Sequence, residues 1–542
     1  MSKLPAHWFN KTACALAAVT VLLAGIYTMA GPDPQAPSGE GEVTAAFWVG
    51  NAIFDPTRYS AGNEAFYLVQ LFEMPLRPYP NLERGNWLAE SWELDLSGEK
   101  PVIDVTIRQN VKFHNGDILA SQDFKFSYER LRDPSISPWS HLQAQVERFE
   151  IVNQHRFKLH FSRPDSAYIS GNFHLWAVPK QYFESVGDEG FERAPIGTGP
   201  WRFISRKRGS EVRYERFPEY WNQDHRPDKN VERLTVKIIP EDATRLAALR
   251  RGEVDWIDGV PPVRVKDVES WPGIETASVP SGGEGFIQMP ESDPSSPFSD
   301  VRVRRAVAHA VDMDAIIKYV LFGQAERYVQ VGKDTLGYNP DLEPYEYDPD
   351  KARALLREAG YPDGFTTPCY TRNSPTSAKA SGEAVFNYLG AVGIRCQPHG
   401  LEFAAWLNLI RRSTGRELDG LIMRGWGHGL PGDPTAAWMG HLHSYVPGEG
   451  WGSYSQTNDP KVDRMVKELR QLMDDRERAA MIRKIARYKH EQVLGGIPTY
   501  RPMFTMAWRA DRIEFTPWPS PGSWRSFQEV KLKQAQVIVP GR

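Results

Sequence analysis

The chain alternates short runs of apolar and polar residues at period two with amphipathic segments at period 3.6, an order that predicts an α/β fold. PVIDVTIRQNVKFHNGD (101–117) gives two strand-like runs that end on the turn dipeptide Asn115-Gly116. A helix is predicted next, over SQDFKFSYERLRDP, from the cap candidate Ser121 to Pro134. RLTVKIIPEDATRLAALRRGEVDW reads as a strand, a helix behind Glu241 and Asp242 with Leu246, Ala248 and Leu249 inward, and a turn at Gly252. VRVRRAVAHAVDMDAIIKYVLFG predicts one long helix after the cap candidate Asp300, with Val303, Val307, Ala310 and Val311 inward and a stop at Gly323. In YDPDKARALLREAGYPDGF the helix is bounded by Asp348-Pro349 and by Gly360 with Pro362. Two charged amphipathic helices are expected over 460–494.

At 542 residues the chain is too long for one ordinary core, so two or more α/β lobes are expected. A formal charge of -3 and no basic tail argue against nucleic acid as a partner. The 17 Trp can fill cores, and they also suit a protein that reads ligands with flat apolar faces.

Lys3 and Lys11 precede the apolar run from Ala13 to Ala30, which ends on Thr28-Met29-Ala30 with small residues where a signal peptidase reads. Residues 1–30 therefore read as an export signal, with an uncleaved anchor as the alternative, and 31–42 as a Pro, Gly and acid-rich tether. Cleavage after Ala30 removes Lys3 and Lys11 and takes the charge from -3 to -5. Cys14 lies at the start of the run, not at its end where a lipid anchor needs it. Cys369 and Cys396 remain, paired or free. Closing that loop would contribute roughly 3 to 4 kcal/mol on the chain-entropy model. With no C-x-x-C, a cysteine-type zinc site is excluded.

RGWGHGLPGDPTAAW (424–438) carries Gly427, Gly429 and Gly432 in G-x-G-x-x-G spacing after the strand-like LDGLIMRGW. A dinucleotide loop needs its helix to start within the motif. Here Pro431 precedes the last glycine, and the helix signal, Asp433 with Pro434, follows it, so no nucleotide cofactor is expected. Asp433 is read as a cap. PIGTGPWRF is read as the start of a strand, with Trp201 in the core and Gly197 and Gly199 supplying unusual backbone geometry. His428, His441 and His443 raise a metal question, but the pair in HLH diverges on a strand or a helix, and no metal is expected. G-x-S-x-G, the P-loop and H-E-x-x-H are absent, leaving no catalytic signal.

Five segments in series, VKFHNGD with SQDFKFSYERLRDP, GTGPWRFISRKRGSEVRYERFPEYW, ATRLAALRRGEVDW, FSDVRVRRAVAHAVDMDAI and YDPDKARALLREAGYPDGF, resemble the family 5 extracellular solute-binding proteins, the substrate-binding components of peptide and nickel ABC importers. The resemblance implies a type II periplasmic-binding-protein fold with two hinged lobes. The first would comprise 43–275 plus 505–542 with an added subdomain near 77–180, and the second 276–504. It implies a periplasmic monomer that is not an enzyme, captures a peptide or peptide-like solute and passes it to an inner-membrane permease. An oligosaccharide or metal-chelate binder, or a hydrolase or chaperone using the same cleft, are the alternatives.

Ligand contacts are implied at the end of the LDGLIMRGW strand, where Trp426 matches the family pattern but Gly429 replaces the Asp that pairs with a peptide's amino terminus. A buried ammonium without that carboxylate costs several kcal/mol. Arg424 and His428 are the further candidates there, the arginine for a two-pronged bond to a carboxylate. Tyr59, Asn63 and Glu64 are candidates after the first strand, and Glu64 is the replacement partner for an ammonium. Trp406, Trp438 and Tyr445 are candidate walls.

Overall fold

The computed structural model describes residues 41–50, 52–59, 62–78, 84–170, 172–281, 283–412, 418–427, 432–444, 457–517 and 526–533. The expected signal, most of the tether, His428, Gly429 and Tyr445 lie outside them. Among the described residues no helix is long and apolar enough to cross a membrane.

An eight-stranded sheet is built around strand Glu42–Phe47, which pairs in parallel with Arg233–Ile238 and Trp256–Ile257. Val43, Ala45, Ala46 and Phe47 are all buried, as a central parallel strand covered on both faces requires. The antiparallel strands Ile274–Pro280 and Tyr500–Arg509 complete one side of this sheet. A five-stranded sheet runs Ile394–Leu401, Phe365–Arg372, Leu421–Gly427, Gly283–Gln288, Ile497–Pro498, the first three mutually parallel. A third, four-stranded antiparallel sheet spans Ala89–Asp95 to Arg156–Phe161 and has its own core around Trp87, Phe124 and Phe157. The fold is α/β and not a barrel.

The chain crosses between the two large sheets between Pro280 and Gly283 and again at Thr499, and the short strand Ala325–Arg327 also leaves the second sheet's run to pair with residues 500–502. The crossings are tied together: Ser281 N donates to Pro502 O at 2.9 Å and Thr499 N to Gly285 O at 2.8 Å. A side chain at Gly285 would place its Cβ 2.4 Å from Thr499 Oγ1, so the close approach requires glycine there. Because Ile274–Pro280 and Tyr500–Arg509 both pair in the first sheet, the change of sheet falls at these crossings and not at 275/276 and 504/505.

Several local expectations are corrected. Only Val102–Ile107 of the two runs in 101–117 is a strand; residues 111–117 form a turn with one isolated bridge, Lys112 to Ile118, around Gly116 at φ +91°. Val111 and Phe113 are apolar because they plug the core of the small sheet, not because they pair. Ser121 is the first helical residue and not the cap; Asp123 reaches back to accept from Ala120 N at 2.9 Å. The long helix after Asp300 stops at Ala310, and Asp312 starts a new one by accepting from Ala315 N at 2.8 Å, a cap competing with helix continuation. Gly197 and Gly199 serve close packing: a Cβ on each would meet Leu71 O at 2.0 Å and Gln70 O at 2.6 Å. The helix Asp242–Arg251 ends at Gly252, φ +75°, and Pro349–Glu358 is capped by Asp348, as expected. Helices Pro460–Gln471 and Asp475–Gln492 occupy the region expected for them.

Cys369 and Cys396 are joined by a disulfide across the parallel strands Phe365–Arg372 and Ile394–Leu401, with Cα atoms 5.4 Å apart. The bond closes a separation of 27 residues. Replacing both cysteines by alanine is expected to lower unfolding free energy by roughly 3 to 4 kcal/mol in urea titrations of the oxidised protein. A loss below about 1 kcal/mol would mean that the bridge contributes little at the stability of the whole chain.

Candidate functional site

In open α/β sheets, ligands sit beyond the carboxyl ends of parallel strands. Those ends face one another here across the gap between the two large sheets. Trp48 follows the last residue of strand Glu42–Phe47, and its ring meets Phe403 edge-on, centroids 6.4 Å apart at 88°. Phe403 opens the helix Phe403–Arg412 that follows strand Ile394–Leu401. One aromatic face from each sheet is thereby brought into contact. Thr376 Oγ1 donates to Asp242 Oδ2 at 2.8 Å, so the first turns of helices Thr376–Ala391 and Asp242–Arg251 also meet across the gap. Two helix amino termini converging there favour negative charge between them, and Asp242 supplies one such charge, shared with Arg245 at 2.7 Å.

Arg372 ends strand Phe365–Arg372, and its guanidinium carbon lies 5.0 Å from the centre of the Trp406 ring. Burial pulls its proton affinity below the usual arginine value, only partly offset by Tyr500. Tyr500 in turn is anchored by a 2.7 Å hydrogen bond between its OH and Ser381 Oγ. Trp406 is held by Nε1 donating to Met423 O at 3.3 Å and packs parallel to Phe403, centroids 6.0 Å apart. The chain thus builds an aromatic wall, Trp48, Phe403 and Trp406, with a partly desolvated cation beside it. Such a cation is suited to a carboxylate held by two parallel hydrogen bonds.

The residues singled out from the sequence are distributed unevenly around this gap. Trp426 stands in strand Leu421–Gly427, on which positions 422, 424 and 426 share a face; its side chain, like that of Asn63 in helix Gly62–Leu68, lies outside the described residues. Arg424 is buried and donates from Nη1 to Gln288 Oε1 at 2.9 Å. Trp406 is 5% exposed, packed with Ile410, Leu418 and Ile422, and stands next to Phe403 and Arg372. Trp438 is fully buried among the helices of 435–492, with Lys489 Nζ 5.6 Å from its ring centre, so it serves the core. Tyr59 is buried too, in a nest formed by Trp139, His174 and Trp176, and Glu64 is 2% exposed. Tyr59 keeps its phenolic proton, chiefly because it is buried and secondly because Glu64 lies nearby.

Asp433 does act as a cap, Oδ1 accepting from Thr435 N at 2.9 Å, and it also pairs with Arg478 at 3.2 Å. Helix Thr435–Leu442 begins beyond Gly432, too late for a nucleotide loop. His441 is buried against Phe286, ring centroids 4.9 Å apart, and His443 is buried with Nδ1 2.7 Å from Ser444 O. Among the described residues no group of three or more His, Cys, Asp or Glu is arranged to hold a metal.

Trp48, Arg372 and Phe403 were missed in the sequence. The available signal was positional: each stands where a parallel strand ends or the next helix begins.

A model of the bacterial extracellular solute-binding proteins, family 5 middle region, matches residues 84–445. Di/tripeptide-binding protein 2 of Pseudomonas aeruginosa is 27% identical over 520 residues, spanning 88% of this chain and 92% of that protein. A glutathione-binding protein of Pectobacterium atrosepticum is 28% identical over 317 residues, 58% of this chain and 60% of that one. The ABC transporter-associated periplasmic binding protein of Helicobacter pylori, solved with the peptide STSA, matches with a TM-score of 0.80 over 92% of this chain and 99% of that one. Its 21% identity carries the fold alone.

One prediction follows from the nest around Tyr59. Burial pulls His174 down to about 3, so it is neutral in the native state, whereas the unfolded chain protonates it below about 6.5. Its contribution is complete above that value and is lost as the pH falls towards the native pKa. Between pH 7.5 and 5 the stability advantage of the parent over His174→Gln is expected to shrink by about 2 kcal/mol in urea melts. An unchanged gap would show that His174 binds protons alike in both states.

Proposed function

Because this chain belongs to the family 5 bacterial extracellular solute-binding proteins, we propose that it captures a peptide or peptide-like solute with a free carboxylate between two lobes and passes it unchanged to an inner-membrane ABC permease. The observation that carries this reading is Arg372, a partly desolvated guanidinium at a strand end beside the wall of Trp48, Phe403 and Trp406. The peptide-binding names of the relatives support the solute class. The lobes are 41–281 with 500–533, and 283–499, divided between Pro280 and Gly283 and at Thr499, with Ala325–Arg327 of the second pairing to residues 500–502 of the first. The small sheet is the added subdomain of the first lobe. Affinity comes from burying solute against the aromatic wall at about 25 cal/mol per Å², and orientation from the cation. Gly429 leaves the family's usual ammonium partner out, so the carboxylate end dominates recognition. The apolar run from Ala13 to Ala30 and the family support a periplasmic location, where the protein acts as a monomer.

The test is native mass spectrometry of gently purified protein, followed by calorimetry with small peptides and their carboxyl-terminal amides. Recovered solute is expected to be chemically intact. Amidation is expected to weaken binding roughly 30-fold or more, the loss typical of a buried charged partner, and Arg372→Gln to abolish the difference between acid and amide. Equal binding of acid and amide by the parent protein would remove Arg372 from the site, and cleaved solute would contradict a pure binding role.

A further inference from the structure

A cavity of about 50 Å³ opens beside the hinge, with Arg327, Gln330, Lys333, Tyr338, Asn339 and Arg501 among its lining residues. It shares no residue with the wall or with Arg372. Gln330 is 3% exposed, and its Oε1 has no hydrogen-bond partner. Arg327 Nε is likewise buried without an acceptor; its ion-pair partner Asp314 stands 3.7 Å away and is 81% exposed. Burial pulls the proton affinity of Arg327 down, with Asp314 and Asp312 only partly compensating. Arg501 is committed elsewhere, to Asp334 at 2.6 Å and to Ser281 O at 2.6 Å. Lys333 adds an exposed ammonium to the lining, and Glu326 an exposed carboxylate.

A buried acceptor and a buried charged donor left unmade together cost several kcal/mol, a cost that a native structure keeps where something completes them. A few waters fit the volume. Water, however, does not neutralise a guanidinium whose ion-pair partner Asp314 stands in solvent and whose burial Asp314 and Asp312 together only partly offset. We propose that this cavity binds a small carboxylate bearing a hydrogen-bond donor on its α carbon, an α-hydroxy or α-amino acid of two or three carbons. The carboxylate lies on Arg327 and Lys333 and the donor on Gln330 Oε1; for an amino acid, Glu326 adds attraction to the ammonium. Arg327 Nη1 donates to Thr499 O at 3.3 Å and Arg501 Nε to Ser281 O, so the cavity borders both crossings of the hinge.

Calorimetry on the full mature chain with glycolate, glycine, acetate and methylammonium separates the sources of the signal. Glycolate or glycine is expected to bind saturably at one site, with acetate and methylammonium at least 10-fold weaker. Gln330→Met is expected to reduce the better binder to the level of acetate, and Arg327→Met to abolish binding. Thermal melts check that each variant is folded, and the near-isosteric Gln330→Met carries the test if Arg327→Met is not. No saturable binding, equal binding of glycolate, glycine and acetate, or binding indifferent to Gln330→Met would overturn the assignment. Loss of the signal in Arg372→Gln would place the probe in the cleft instead and equally overturn it.

Discussion

Everything in this molecule depends on a two-stranded ribbon that belongs to both large sheets. Ile274–Pro280 and Tyr500–Arg509 pair antiparallel in the first sheet, and their continuations, Gly283–Gln288 and Ile497–Pro498, pair antiparallel in the second. The backbone at the join is cross-linked by Ser281 N to Pro502 O and Thr499 N to Gly285 O, and Gly285 has no room for a side chain. Two packed bodies joined through such a ribbon can rotate about it while their interiors stay packed. The interiors are indeed separate, with Phe47, Tyr67 and Trp256 in one cluster and Ile287, Val307 and Leu389 in another.

Given that ribbon, the carboxyl ends of the parallel strands are obliged to face each other, and the side chains at those ends become the walls of the gap. Trp48 and Phe403 meet across it, and Arg372 lies beside them. A second contact joins the two bodies through the added subdomain. Arg470 pairs with Asp165 through two bonds of 2.7 Å, and Ser166 Oγ donates to the carbonyls of Leu469 and Arg470. A buried ion pair of this kind adds little net stability after desolvation, but it fixes where two surfaces meet. The small apolar Ala167 beside it enters the helical cluster of Met439 and Leu469, so the subdomain docks by packing as well as by charge.

Much of the architecture was legible because it rests on local rules. The strand before Glu241, the helix ending at Gly252 and the helix fixed by Asp348 follow from periodicity and caps alone. Failures came where a second local option competed: Asp312 capped a new helix inside a continuous apolar pattern, and Asp123 took the capping role from Ser121. Val111 and Phe113 looked like a strand because burial, not pairing, set their character. The site was harder to read. Trp48, Arg372 and Phe403 lie far apart in sequence, and only the pairing of sheets brings them together. Tyr59 and Trp438 satisfied the same compositional criterion, aromatic and near a strand end or loop, yet both fill cores. A single sequence carries the identity of such residues but not the direction in which they face.

Shutting on a solute requires rotation about the ribbon at Ser281 and Thr499. Small-angle scattering on ligand-stripped protein, repeated after adding back the solute recovered from it, measures that motion directly. A smaller radius of gyration and maximum dimension are expected in the bound state, with the opposing change on stripping. Identical scattering curves at saturating solute would contradict it, because the two lobes would then be one immobile body.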